Sequence, residues 1–400
     1  MDTAVRMIHP KRVLVATVPA YGHVFPLVPL AWALRNAGCD VLVATTGWTI
    51  GAVRHAGLST VDVAVDTDLA PIYASIRHAY RPEHPGSFDG PERLGGILPL
   101  YAALGEVMTP GTIAIAEQWR ADLIVHGAYC AAGPLAAAAL DIPSVFVNVG
   151  IADTPEFLWQ HVYSPVAASV GRPSVARPTL WIDTVPASVR ESTPAEGARL
   201  PMRYVPFSSA CAVGAEWFAR SDRPVIAMTI GPTGPQARGF RALRSLIRAA
   251  ADVNADFLVT FAINPTDGPA PESPVGPLPA NVHAIPWVPF DRLFAMCDGV
   301  VHHGGSGTVL TSLITGVAQL VAPQGADSHY NAAMLSRRGV AVACMEPTVT
   351  TDMLAHFVTM DACRAAAADV RDEMLAMPNA NEVAGVVAQV AANTAGVDPV

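Results

Sequence analysis

The chain has 400 residues, and its length, composition and charge already restrict what it can be. Domains usually hold roughly 100–200 residues, so the length predicts two of them. Hydrophobic residues make up 51% of the chain, enough for two buried cores. The low share of charged residues (15%) and the net charge of −9 argue against nucleic acid or an anionic membrane as the main partner.

Lysine is nearly absent, since Lys11, close to the N-terminus, is the only one. Phosphate-binding loops of the Walker type, protein kinases and pyridoxal enzymes each need a lysine in the active site. The sequence therefore excludes these three enzyme classes.

Cysteine usage and the N-terminus predict a cytoplasmic protein. The six cysteines are scattered without a Cys-x-x-Cys pair, which is typical of buried thiols in a reducing compartment. The first apolar run ends at Pro19, too early for a signal peptide. No uninterrupted apolar stretch approaches the roughly 18–20 residues that span a bilayer.

The first half of the chain alternates between short apolar runs and helical patterns. Residues 13–18 form a β-branched run that predicts a buried strand, residues 25–37 have helical spacing, and residues 40–44 predict the next strand. The pattern returns at residues 123–126 and 144–147, on either side of an alanine-rich helix. Such βαβ units predict a doubly wound parallel sheet.

Two segments, residues 66–105 and 150–203, interrupt this pattern with many Pro, Gly and aromatic residues. Loops this long are uncommon in compact domains unless they line a site. We therefore expect long loops here, with Phe88, Phe157 and Trp159 lining an apolar pocket.

The second half repeats the first, with an apolar strand at residues 225–230 that leads through a Gly/Pro turn into a helix at 240–251. Further strands are predicted at residues 256–261, 281–285, 299–302 and 319–322. The α/β fold class is thus expected to consist of two Rossmann-like doubly wound domains, joined near residues 204–222 and facing each other across an active-site cleft.

The strongest local signal is VVHHGGSGTVLTSLITG at residues 300–316, where a strand passes through a glycine-rich turn into a helix. Glycines let the backbone approach an anion, and the helix N-terminus offers N–H groups and the positive end of its dipole. With His302 or His303 as an added donor, the turn predicts a diphosphate site without lysine or metal. The alternative is an ordinary helix N-terminus beside core histidines. A metal is disfavoured because neighbouring strand residues point to opposite faces.

A second signal is VPAYGHVFPL at residues 18–27, in which His23 follows the first strand. Open α/β sheets bind ligands at this edge, and a neutral imidazole there can remove a proton from a hydroxyl. The alternative is a structural or exposed turn histidine.

Three separated motifs together resemble the family 1 GT-B glycosyltransferases, and in particular the bacterial enzymes that glycosylate antibiotics and other natural products. They are HHGGSGT at 302–308 with the stretch that follows it, the upstream AIPWVPFDRLFAMCDG, and YGHVFPL at 21–27. The resemblance covers nearly the whole chain in order and spacing. It implies an acceptor-binding domain at 1–205, a nucleotide-sugar-binding domain at 222–375, and a last helix at 376–400 that crosses back to the first domain.

The resemblance also implies an activity. It is the inverting, metal-independent transfer of a (deoxy)sugar from a TDP- or UDP-sugar to a small hydrophobic acceptor, with no further cofactor, no nucleic acid and no membrane span. Whether the chain forms a homodimer is left open. The alternative function is a catalytically silent homologue that serves as a partner of another glycosyltransferase.

Roles carry over to matching positions. His23 would be the general base, His302 would contact the diphosphate, Trp287 would stack on the nucleobase, the backbone at Val288 would read the base edge, and Asp327 would face the sugar hydroxyls. The remaining residues expected at the nucleotide-sugar are Gly231, Gly304, Gly305, Ser306, Gly307, Thr308 and Ser328. The acceptor pocket would include Phe88, Phe157 and Trp159.

Two positions depart from the family's pattern. Ser328 stands where members often have Gln, which favours a deoxysugar donor with fewer hydroxyls. Gly127 stands where many relatives place an Asp that orients the catalytic histidine. His126, Asp153 or the acidity of the acceptor itself could take over the role of this Asp. Its absence favours C- or N-glycosyl transfer or a phenolic acceptor.

Overall fold

Two parallel β-sheets, one of seven strands and one of six, organise the computed structural model. The structure describes residues 11–79, 97–151, 155–172, 175, 177–190, 199–208, 222–231, 241–260, 273, 275–286, 288–324, 327–344 and 348–393.

The first sheet is wholly parallel, and its strand order reverses in the middle. Its strands are β1 (Arg12–Ala16), β2 (Asp40–Thr45), β3 (Ser59–Asp62), β4 (Leu123–Gly127), β5 (Ser144–Asn148), β6 (Leu180–Asp183) and β7 (Arg199–Pro201). They lie in the order β3-β2-β1-β4-β5-β6-β7. Because the order reverses between β1 and β4, the carboxyl ends of these two strands open a crevice, where doubly wound sheets bind ligands.

Helices cover both faces of this sheet, which explains why strand β1 is apolar and buried from Val13 to Ala16. They are α1 (Tyr21–Val24), α2 (Val28–Asn36), α3 (Thr49–His55), α4 (Ala70–Ala79), α5 (Leu98–Gln118), α6 (Ala132–Leu140), α7 (Pro155–Leu158) and α8 (Ser164–Ser169). Short 3₁₀ turns lie at Phe25–Leu27 and Ala187–Val189, and a π-helical turn lies at Trp159–Tyr163.

The prediction of long loops at residues 66–105 and 150–203 is wrong for the described parts of these segments, which contain four α-helices and two strands. The prolines of these segments suggested loops, but several of them lie within helices. Pro99 lies in the first turn of α5, where the missing N–H has no intrahelical partner to lose. Pro165 directly follows the π-helical turn at Trp159–Tyr163, and the chain stays helical across it. Pro110 lies inside α5, where the helix continues past it.

Helix α5 is, by length and composition alone, apolar enough to cross a membrane, and no other helix in the described ranges is. It packs against α6, α4 and α8 of the first domain. Leu104 and Met108 are each 1% exposed on the packed face, so α5 serves as a core helix here.

The second sheet repeats the arrangement. Its strands are β8 (Val225–Thr229), β9 (Asp256–Thr260), β10 (Val282–Ile285), β11 (Gly299–His302), β12 (Ala318–Val321) and β13 (Ala341–Ala343), in the order β10-β9-β8-β11-β12-β13. Its helices are α9 (Arg241–Ala250), α10 (Phe290–Phe294), α11 (Ser306–Thr315), α12 (Ser328–Arg338), α13 (Thr351–Val358) and α14 (Asp361–Ala376). The reversal lies between β8 and β11, so the predicted fold class of two doubly wound domains is confirmed.

The last helix, α15 (Ala380–Asn393), packs on α2 of the first domain. Val383, Ala384 and Val387 are buried in the same cluster as the α2 side chains. The helix begins with a capping box, in which the Asn379 side chain accepts the Glu382 N–H and the Glu382 carboxylate accepts the Asn379 N–H. This helix thus brings the chain back from the second domain to the first.

Candidate active site

A cavity of about 340 Å³ lies between the carboxyl edges of the two sheets and is lined by both domains. The first domain contributes His23, and the second contributes the first turn of α11 together with Asp327. The sequence therefore located the cleft correctly, since both predicted motifs meet in one cavity. Its size falls within the range of small-molecule sites.

The glycine-rich turn brings the N-terminus of α11 to the cavity. Gly304 has φ +86°, a conformation that favours glycine, and a Cβ there would lie 2.9 Å from Val321. Gly305 is the cap residue of α11, and Ser306, Gly307 and Thr308 of its first turn all line the cavity. The first N–H groups of a helix have no intrahelical acceptor, so this turn offers donors and a partial positive charge to an anion.

The two adjacent histidines have different environments. His302 is 2% exposed, and both of its ring nitrogens are engaged inside the protein. Nε2 lies 2.9 Å from Oε1 of the buried Gln319, and Nδ1 accepts the Gly304 N–H at 3.0 Å. This corrects the expectation that His302 contacts the diphosphate, because its ring holds the turn from beneath and does not line the cavity.

His303 faces the cavity instead. Its ring fits between two glycines, since a Cβ on either Gly231 or Gly305 would lie 2.5 Å from it. Its Nδ1 is buried without a hydrogen-bond partner in the described part of the chain. Burial lowers the pKa of His303 to about 4, so the ring is neutral near pH 7 and can donate one N–H.

Asp327 lines the cavity beside the start of α11. Its Oδ2 accepts the Ser306 hydroxyl and, at 3.0 Å, the Asn331 amide. Burial raises the pKa of Asp327, while hydrogen bonds from Ser306 and Asn331 lower it in part. Ser328, the neighbour, is 2% exposed and its hydroxyl accepts the Gln324 N–H at 3.1 Å, so it supports the loop and does not line the cavity.

The other predicted donor-site residues lie at the margin of the described region. Gly231 lies two residues after the end of β8, has φ +69° and makes room for the His303 ring. The Val288 side chain is buried among apolar residues of the second domain and does not line the cavity. Trp287, expected at the nucleobase, lies outside the described residues.

His23 reaches the cavity from α1, the short helix that follows β1. Its Nε2 lies 3.0 Å from the Tyr101 hydroxyl of α5, and its Nδ1 is buried without a partner among the described residues. The rings of Tyr101 and Tyr129 stand edge-on to the imidazole, with centroids 5.5 and 5.6 Å away. Burial lowers the pKa of His23 to about 4, so the imidazole is a neutral proton acceptor near pH 7.

Gly127 ends strand β4 on the face of the sheet that carries α1. Among the described residues, only Leu27 comes within 4 Å of a Cβ placed there, at 3.5 Å, so these residues leave space for a side chain where the resemblance led us to expect an orienting Asp. His126 cannot substitute, because it points to the opposite face and packs on Phe146 and Tyr163. Asp153, the other proposed substitute, lies outside the described residues.

The acceptor side of the cavity is aromatic, but mostly through residues that the sequence did not single out. Trp159 is 5% exposed in the core beneath, and Phe157 stacks on His161, so neither lines the cavity. Phe88 lies outside the described residues. The aromatic residues that do line the cavity are Tyr21, Phe25, Tyr101, Tyr129, Phe146, Tyr204, Phe207 and Phe290.

Two sequence signals pointed to some of these residues. Tyr21 and Phe25 flank His23 at helical spacing, and Tyr101 belongs to the aromatic segment 66–105 that was expected to line a site. Tyr129 has φ +65°, an uncommon conformation for a residue other than glycine, and this turns its ring onto those of Tyr101 and His23. Such a conformation depends on the tertiary structure and leaves no local pattern.

Two family models match most of the chain. The N-terminal domain of the erythromycin biosynthesis protein CIII-like family matches residues 32–231, and its C-terminal domain matches residues 244–390. The elloramycin glycosyltransferase ElmGT of Streptomyces olivaceus is 34% identical over 93% of this chain and 96% of its own length. The 3-alpha-mycarosylerythronolide B desosaminyl transferase of Saccharopolyspora erythraea is 30% identical over 95% of this chain and 98% of its own length.

Solved structures agree with these relatives. The glycosyltransferase SnogD from Streptomyces nogalater superposes with a TM-score of 0.79 at 31% identity, covering 96% of this chain and 99% of its own. VinC, a glycosyltransferase solved in complex with dTDP, superposes with a TM-score of 0.75 at 27% identity, covering 96% of this chain and all of its own. The chain therefore belongs to the EryCIII-like family and is a GT-B, nucleotide-sugar-dependent glycosyltransferase.

Proposed function

We propose that this chain transfers a sugar, in particular a deoxysugar, from a TDP-sugar to an apolar natural-product acceptor, with inversion at the anomeric carbon and without a metal. The observation that carries the proposal is the meeting of a neutral histidine base and a helix N-terminus in one cavity between two domains. TDP is favoured over UDP because VinC and SsfS6, both 27% identical to this chain, were solved with it.

The donor end of the reaction belongs to the second domain. The diphosphate is expected at the N-terminus of α11, where the N–H groups of Ser306, Gly307 and Thr308 and one N–H of His303 stabilise the negative charge that develops as it leaves. These donors take the place of a divalent cation. Asp327, at the same wall, accepts a hydroxyl of the sugar through a charge-assisted hydrogen bond.

The acceptor end belongs to the first domain. The aromatic wall holds a flat apolar molecule, and His23 takes the proton of its reacting hydroxyl. Base and diphosphate site come from opposite domains, so acceptor and leaving group stand on opposite sides of the sugar. A single displacement from that side inverts the anomeric carbon. Closure of the cleft excludes the water that would otherwise hydrolyse the donor.

Titration calorimetry tests the donor half directly. We expect TDP to bind more tightly than UDP, with the same dissociation constant in the presence and absence of EDTA. Binding of neither nucleotide would remove the basis for a transferase, and an EDTA-sensitive constant would contradict the metal-free site.

Loss of turnover tests the catalytic half. His23→Ala should abolish glycoside formation while leaving TDP affinity unchanged, since His23 lies on the acceptor side. A silent partner protein would bind TDP equally well but show no turnover before the substitution. We place the reaction in the cytoplasm, in keeping with the scattered free cysteines, five of which are described and none of which forms a disulfide.

A further inference from the structure

No carboxylate of the described residues forms a hydrogen bond with His23. A tyrosine hydroxyl lies within hydrogen-bond distance of the imidazole instead. The Tyr101 Oη lies 3.0 Å from His23 Nε2, and both residues line the cavity. Tyr101 rises from the first turn of α5 and is 8% exposed, so packing fixes its ring. Tyr129 stacks on it at a centroid distance of 4.3 Å and fixes it further. Tyr101 is thus held at the wall of the cavity beside His23.

The other imidazole nitrogen of His23 is the one that an orienting carboxylate would bind. Nδ1 of His23 is buried and has no hydrogen-bond partner among the described residues, which is unusual for a polar atom. Gly127 lies on the same face of the sheet, and of the described residues only Leu27 comes within 4 Å of a Cβ placed there. The described residues therefore give no fixed negative partner to the charge that His23 gains on taking a proton.

This arrangement restricts the acceptors that can react. Burial lowers the pKa of His23 to about 4, so it is a weak base. A phenol has a pKa of about 10, whereas the pKa of an alkyl hydroxyl is far higher, near that of water. The transfer of a proton from a phenol to the tyrosine oxygen joins groups of the same chemical type and is nearly balanced in energy. The next transfer, from Tyr101 to His23, is uphill, and the whole relay is less uphill for a phenol than for an alkyl hydroxyl.

We propose that Tyr101 is a catalytic residue that relays the proton of the acceptor to His23, and that the reacting hydroxyl of the acceptor is a phenol or an enol. This inference rests on the proposed function. The acceptor's proton passes to Tyr101 Oη while the proton of Tyr101 passes to His23 Nε2. The acceptor oxygen forms its bond to the anomeric carbon as the bond from that carbon to the diphosphate oxygen breaks, and the diphosphate leaves with the electron pair.

A matched pair of acceptors tests the acceptor class in the unmodified protein. 2-Naphthol and 2-naphthylmethanol carry the same ring system, but one presents a phenol and the other an alkyl hydroxyl. With a panel of TDP-sugars, we expect transfer to 2-naphthol at least about 100-fold faster than to 2-naphthylmethanol, in line with the usual contribution of acid–base catalysis. Equal rates with both acceptors overturn the inference and leave the proposed function standing. No transfer to either acceptor overturns both.

Variants at the relay test the role of Tyr101. Tyr101→Phe should lower kcat for 2-naphthol about 100-fold and leave KM within about twofold, because the ring remains and only the hydroxyl is lost. Added to His23→Ala, it should cause no further loss, since both residues act on one proton. A wild-type kcat in Tyr101→Phe, or losses that multiply in the double variant, overturn the relay.

A carboxylate placed at Gly127 tests the same inference by a gain of activity. Gly127→Asp should raise the rate with 2-naphthylmethanol at least about tenfold and weaken the dependence on Tyr101, while the isosteric Gly127→Asn should not. Asp153→Asn tests whether the carboxylate of Asp153 already orients His23. A loss of turnover as large as that of His23→Ala would show that it does and would overturn the inference. Thermal melting confirms that each variant is folded.

Discussion

Replacing each of the two adjacent histidines in turn separates the diphosphate ligand from the residue that supports the turn. His303 lines the cavity, and an N–H from its neutral ring would reach a charged phosphate oxygen. A hydrogen bond to a charged group contributes about 1.5–3 kcal/mol, and about 1.4 kcal/mol corresponds to a factor of ten. His303→Ala is therefore expected to weaken TDP binding roughly 10- to 150-fold.

The matched variant His302→Ala should act mainly on stability. It leaves Gln319, which is fully buried, and the Gly304 N–H without their partners and removes volume from the core. We expect a loss of about 2–4 kcal/mol in the free energy of unfolding, compared with less than about 1 kcal/mol for His303→Ala.

Calorimetry with TDP and chemical denaturation of both variants form the assay. If His302→Ala lost TDP affinity without a loss of stability, while His303→Ala bound TDP like the unmodified protein, the assignment of the two rings would be refuted.

Three further predictions concern the turn, the response to acid and the last helix. Gly305→Ala places a Cβ 2.5 Å from the His303 ring and should weaken TDP binding at least about tenfold. Gly51→Ala, whose Cβ would have no described residue within 4 Å, should leave calorimetric binding unchanged. Burial lowers the pKa of His126 from 6.5 to about 4. The contribution of the neutral His126 to the free energy of unfolding is therefore complete above pH 6.5 and is lost as the pH falls towards 4. His126→Leu should remove on the order of 3 kcal/mol of that loss, as measured by denaturation between these pH values. Asn379→Ala removes the cap of α15 and should lower the free energy of unfolding by about 1 kcal/mol, and an unchanged value would show that the capping box contributes nothing.

The sheets and their cleft could be predicted because they follow from local pattern. Runs such as residues 13–18 and 225–230 are apolar on both faces, and this requires helices on both sides and hence a parallel, doubly wound sheet. The motifs around His23 and Gly305 follow strands β1 and β11, whose carboxyl ends lie next to the order reversals. Their meeting in one cavity is a consequence of topology.

The orientation of single side chains could not be predicted in the same way. Alternation along the chain predicts that His302 and His303 point to opposite sides, but it does not predict which ring lies in the core. His302 lies there because its Nε2 meets the side chain of the buried Gln319, which stands opposite Val300 in the register of β11 and β12. Tyr101 was expected in a loop because of nearby prolines, and its contact with His23 spans 78 residues of sequence. Long-range contacts of this kind leave no trace in local spacing.

The stereochemistry of the product tests the central claim most directly. The protein is incubated in EDTA with an α-linked TDP-sugar and 2-naphthol, and the anomeric proton coupling of the glycoside is read by NMR, alongside His23→Ala. We predict a β-glycoside from the unmodified protein and none from the variant, which should still bind TDP. An α-glycoside, product formation that requires a divalent metal, or full activity in His23→Ala would contradict the inverting, metal-independent mechanism with His23 as its base.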